Sequence, residues 1–129
     1  MIAVDTNVIV RLIVADDEAQ VTRALALADR EEFFVSLTVL IETDWVLRST
    51  YRFDRARVTN ALLALTDLVS ITFENDADVR WAIERYALGG EFADFIHIAA
   101  ARPLGRFASF EERLARRAGD DAPATVVVP

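Results

Sequence analysis

Residues 1–10, MIAVDTNVIV, decide how this chain is read, because an apolar run breaks at Asp5, Thr6 and Asn7 and then resumes. A strand buried in a core gains by staying apolar, so three polar side chains in its path need a reason. The stretch reads as a short buried strand over residues 1–5, ended by the polar DTN. VIVRLIV, residues 8–14, then continues as an apolar helix.

Working outward, the same alternation repeats. DDEAQVTRALALADREE carries acids at its front and Val21, Ala24, Leu25 and Ala28 at helical spacing, which predicts a helix over about 17–31. FFVS at 33–36 is a second strand. LTVLIETDWVLRSTY is a long helix with Leu37, Leu40, Ile41 and Trp45 on its apolar stripe, and Asp54 caps the next, DRARVTNALLALTDL. VSITF at 69–73 is a third strand, and the helix begun at Asp76 stops at Gly89 and Gly90. A helix over 93–102 ends before Pro103, a fourth strand covers 106–110, EERLARRAG is a short helix, and 124–128 is a last strand. Strands separated by helices imply parallel pairing and an α/β sandwich. At 129 residues and 53% hydrophobic content, the expectation is one domain over 1–129.

The composition excludes several classes. The chain has no cysteine, which removes thiolate metal sites and cysteine nucleophiles. Asp5 interrupts the first apolar run and Asp16 and Asp17 follow it, which does not suit an export signal, and no apolar stretch approaches the roughly 18–20 residues of a membrane span. A cytoplasmic location with no membrane partner is expected. The net charge of −7 argues against nucleic acid, but its distribution is uneven. Residues 1–44 hold nine acids and three Arg, whereas residues 45–60 hold Arg48, Arg52, Arg55 and Arg57 against Asp54 alone, and the end of the chain is slightly basic. All fourteen basic residues are Arg, a usage that genomic base composition explains more readily than phosphate recognition does.

Four acids stand where an α/β sheet places ligand sites, outside the carboxyl ends of strands. Asp5 ends the first strand, Glu42 lies in the helix after the second, Asp94 opens the helix after Gly89 and Gly90, and Glu111 follows the fourth strand. Convergent carboxylates repel unless protons or a cation neutralise them, and with only oxygen donors and one His the fitting cation is Mg²⁺ or Mn²⁺. Asp5 is the expected metal ligand that the polar break supplies, with Thr6 and Asn7 as hydrogen-bonding support. Each acid also has an ordinary reading: Asp5 as a helix cap, Asp94 and Glu111 as first-turn acids. Glu42 sits in apolar VLIETDWVL and is expected to need a partner, while Asp44, two residues on, is expected to face solvent.

Taken together, VDTNVIVRL at 4–12, LIETDWVL at 40–47, FADFIHIAAA at 92–101 and FASFEERLARRAG at 107–119 resemble the PIN-domain nucleases, and within them the VapC toxins of toxin–antitoxin pairs. The resemblance implies a three-layer sandwich with a central, mainly parallel sheet flanked by helices. It also implies a metal-dependent endoribonuclease whose acidic triad matches Asp5, Glu42 and Asp94. Where the family commonly has Thr-Phe-Asp, this chain has Ser109, Phe110 and Glu111. That departure leaves Glu111 and Glu112 both open as the fourth acid. Implied partners are an RNA substrate, a cognate antitoxin with a basic tail, and a second copy in a homodimer. Arg11, Arg48 and Arg52 are candidate phosphate contacts, and His97 reads as a packing or surface residue one turn beyond Asp94.

Competing readings are a catalytically weak PIN-like module that binds RNA or protein, and a small Mg-dependent phosphatase. The second meets an obstacle at Asn7, where an acid/base Asp would be needed, and a phospho-accepting receiver lacks its Lys.

Overall fold

Asp5 accepts a hydrogen bond from the Val8 N–H (3.1 Å) and opens helix α1, Thr6–Val14. Asp17 does the same for α2, Glu18–Ala28, through Gln20 N. Ser36 caps α3, Leu37–Ser49, through Val39 N, and Asp54 caps α4, Arg55–Leu68, through Arg57 N. Each bond satisfies an amide that the helix itself leaves unpaired, a contribution of about 1 kcal/mol.

The computed structural model describes residues 1–129 and divides into two compact units, Met1–Glu74 and Asn75–Pro129. In the first, strands β1 (Ile2–Ala3), β2 (Phe33–Val35) and β3 (Ile71–Phe73) form a parallel sheet in that order. Phe33 pairs with Ile2 on one side and Ile71 on the other. Parallel neighbours need a crossover, and the pairs α1–α2 and α3–α4 supply the two. Ile9, Phe33, Val35, Leu40, Leu47, Val58 and Leu62 are wholly buried.

The second unit runs α5 (Asp76–Leu88), α6 (Phe92–Ala100), β4 (Arg106–Ala108), α7 (Leu114–Ala118) and β5 (Thr125–Val127). β4 and β5 pair in parallel, with Phe107 opposite Val126. Aromatic edges build the packing: Tyr86 meets Phe92 at 5.6 Å and Trp81 meets Phe95 at 5.9 Å, both T-shaped. Asp78, buried on α5, takes two bonds from Arg102 at 2.5 and 2.8 Å. Gly90 has φ +92, and an added Cβ would meet the Phe95 ring at 3.0 Å, so this turn into α6 requires glycine twice over.

The chain is thus a helix-rich α/β protein with parallel strands, as the alternation of elements predicts. Three local expectations are corrected. β1 is exposed rather than buried, because it is a two-residue edge strand of its sheet, and only Val4 beyond it is covered. β4 ends at Ala108, so Ser109 and Phe110 lie beyond it and Glu111 does not directly follow the strand. The last helix begins at Leu114, since Glu111 and its neighbours form a turn bonded to itself.

Candidate functional site

In the first unit, Asp5 and Glu42 line one cleft of about 210 Å³ together with Thr6, Asn7, Thr38 and Val39. Asp5 reaches it because the chain leaves β1 and turns directly into α1. Its ordinary role as a cap is real, yet the cap uses only Oδ1, and a carboxylate can accept more than one bond. The orienting bond comes from the Val8 amide; Thr6 and Asn7 contribute as cleft walls.

Glu42 reaches the cleft from α3, and the solvent-facing position expected of Asp44 is corrected. Glu42 is exposed, whereas Asp44 is 2% exposed and receives both Arg48 Nε and Nη2 at 3.0 Å. Trp45, expected on the apolar stripe, is 61% exposed. The polar partner that a carboxylate on this helix needs is therefore Arg48, and it serves Asp44. Arg48 is thereby tied into α3, and Arg11 bonds Gln20, Asp16 and Tyr51.

In the second unit, Asp94 sits in the first turn of α6 with its amide on the Glu91 carbonyl (3.1 Å). Its neighbours Phe92, Phe95 and Ile96 are buried, which holds the Asp94 backbone in place and draws its side chain half out of water. Burial pushes the Asp94 carboxyl above its ordinary range; His97 and Arg117 offset part of this, while the charges of Glu91 and Glu111 add to it. Glu111 is therefore electrostatically coupled to Asp94. The Glu111 N–H donates to Ser109 Oγ (3.1 Å), and Glu111 Oε1 accepts from Arg113 N (3.0 Å). His97, exposed, stacks on Phe107 at 6.3 Å and 17°, which agrees with a packing role.

These donors fit a hard divalent cation. The Asp5–Glu42 cleft offers carboxylate, hydroxyl and amide oxygens, and Asp94 is an acid whose charge is disfavoured by its surroundings. Neither unit gathers three His, Asp or Glu side chains about one point, and Mg²⁺, normally held by one or two carboxylates with water and phosphate, does not require three. Asp5 and Asn7 also line a larger cavity of about 580 Å³ between α1 and α2. No helix is long and apolar enough to cross a membrane.

Comparison with curated proteins and with solved structures finds no match. The family model for the PIN domain matches residues 2–120, nearly the whole chain, and a helix-rich α/β architecture with parallel strands is consistent with it. The chain belongs to the PIN domain family and has its nuclease-type fold.

Proposed function

We propose that this chain is a metal-dependent endoribonuclease that hydrolyses RNA phosphodiester bonds, with Asp5, Glu42, Asp94 and Glu111 as its acidic residues. The observation that carries this reading is the shared cleft of Asp5 and Glu42 in a chain of the PIN domain family. Asp5 and Asp94 are the residues that would hold Mg²⁺ or Mn²⁺. When bound, such an ion would neutralise charge on the phosphate and make water a better nucleophile near neutral pH.

The chain's own part is positional. Val8 N fixes the Asp5 carboxylate, and α3 delivers Glu42 to the same cleft, where its carboxylate would orient a water. Burial holds the Asp94 carboxyl above its ordinary range, and a bound cation would offset that penalty. Ser109 braces the turn that carries Glu111.

The toxin role belongs to the same proposal. A cavity of about 470 Å³ beside α1 and α4, lined by Leu12, Ile13, Phe53, Leu65 and Leu68, supports an apolar helix of a cognate antitoxin as partner. A homodimer is part of the same proposal, and Trp45, exposed on α3, is the residue whose substitution would test it. A second reading, a non-catalytic RNA- or protein-binding module, is favoured by one observation: Glu111 Oε1 is turned onto the Arg113 amide.

The test is incubation of the purified chain with structured and single-stranded RNAs in Mg²⁺ or Mn²⁺, with and without chelator. Cleavage lost on chelation is the expected result. RNA binding with no cleavage of any RNA in either metal would favour the module.

A further inference from the structure

We infer that the α1–α2 cleft binds the sugar–phosphate backbone of a single RNA strand, with Arg23 and Arg30 as its phosphate contacts and Asp5 at one end. The choice of RNA as the polyanion rests on the nuclease reading above. The three Arg of residues 1–44 stand among nine acids, yet Arg11, Arg23 and Arg30 all line this one cavity, where Asp5 is the sole acid. The acidic stretch has thus placed all three of its Arg on one surface.

Helix geometry explains how. Gln20, Arg23, Ala24, Leu27 and Arg30 recur at three- and four-residue steps, so they share a face of α2 and the turn that follows it. Ala24 and Leu27 make the floor with Val8, while Arg23 and Arg30 are exposed at the rim. Only Ala15, Asp16 and Asp17 separate the helices, and Arg11 Nε bonds Gln20 Oε1 at 2.7 Å, so α1 and α2 run antiparallel. The exit of α2 then lies beside the start of the chain, where Ile2 N bonds the Glu32 carbonyl at 2.8 Å. Arg30 accordingly stands at the Asp5 end of the cavity and Arg23 about 10 Å farther along the helix axis.

The three Arg differ in what holds them. Arg11 is engaged by Gln20, Asp16 and Tyr51 and braces the helix pair. Arg30 makes one bond to the Ala26 carbonyl through Nε, and Glu31 beside it is taken by the terminal ammonium at 2.8 Å. Guanidinium groups with spare donors suit phosphate. The volume of about 580 Å³ is that of a small-ligand pocket, enough for one or two nucleotides and not for a duplex. No aromatic side chain lines it, so the contacts are to backbone and the cleft does not read base identity.

The experiment measures anisotropy of a fluorescein-labelled oligouridylate across a salt series, with chelator present. It uses Asp94→Asn as parent, the double variant Arg23→Gln/Arg30→Gln on that parent, and Arg80→Gln as a control of the same kind on α5. The double variant should bind at least several-fold more weakly. Its log–log salt slope should fall by about 1.4, two single-strand contacts at roughly 0.7 each. A double variant that matches the Arg80→Gln control, or a parent that binds no RNA, overturns the inference. So does a polyglutamate peptide that competes with RNA, binds more tightly and depends on the same two Arg, since the cleft would then belong to an acidic protein segment. If RNA binds through Arg23 and Arg30 but the unmutated chain cleaves none in Mg²⁺ or Mn²⁺, the nuclease reading fails and the backbone site stands.

Discussion

In Met1–Glu74 every helix begins at a side chain that accepts a backbone N–H, whereas in Asn75–Pro129 none of the three helices has such a bond. The candidate acids differ in parallel. Asp5 is both a helix cap and a cleft residue, so one bond serves folding and orientation together. Asp94 caps nothing; it is held by the packing of its neighbours and carries a charge that burial disfavours. The comparison teaches that two acids of one proposed reaction are under opposite structural constraint: the fold needs the Asp5 carboxylate and merely tolerates that of Asp94.

The largest effects should fall on activity and be alike in the two units. Asp5→Asn and Asp94→Asn are each expected to lower the rate of RNA cleavage by on the order of 10³-fold, measured under single turnover. Their stabilities should then separate. Asp44→Ala, by contrast, should leave cleavage nearly intact yet destabilise the first unit by about 1–2 kcal/mol, because it removes two bonds to a charged group while Arg48 can return to water. Urea unfolding with unchanged slope is the check.

Smaller effects sharpen the contrast. Asp5→Ala should unfold about 1 kcal/mol more easily than Asp5→Asn, since Asn caps nearly as well as Asp. The Asp94 comparison carries a sign that pH can test. Its folded pKa lies above the unfolded one, so the native state binds more protons between the two, and stability is lost as pH rises through that window. Asp94→Asn should therefore melt higher than the parent at neutral pH, and the difference should vanish below the ordinary carboxylate range. A lower melting temperature at pH 7 would mean that the Asp94 carboxylate contributes bonds to the fold. The smallest effect is electrostatic: Glu111→Gln should lower the Asp94 pKa, followed by carbon NMR, while Glu112→Gln should move it less.

Helix starts with local chemical markers were legible in the sequence. Asp54 was read as a cap and is one; Gly89 and Gly90 end α5; β2 and α3 fall within a residue or two of expectation. What escaped was direction. VLIETDWVL is apolar on nearly every side, so its pattern does not fix the phase of the helix: Asp44, expected in solvent, is buried, and Trp45, expected on the apolar stripe, is exposed. The available signal was the i, i+4 pair of Asp44 and Arg48. Arg23 and Arg30 escaped for another reason: counting charge over residues 1–44 averages away a seven-residue spacing that puts both on one helix face.

The central claim is that the acids of the two units serve one reaction, and the most direct measurement is a double-variant cycle. Single-turnover cleavage in Mn²⁺ should be compared for the unmutated chain, Asp5→Asn, Asp94→Asn and the two combined. If the acids act as a unit, the combined variant is predicted to be about as slow as the slower single variant. Losses that multiply, or either single variant cleaving at the unmutated rate, would contradict the account.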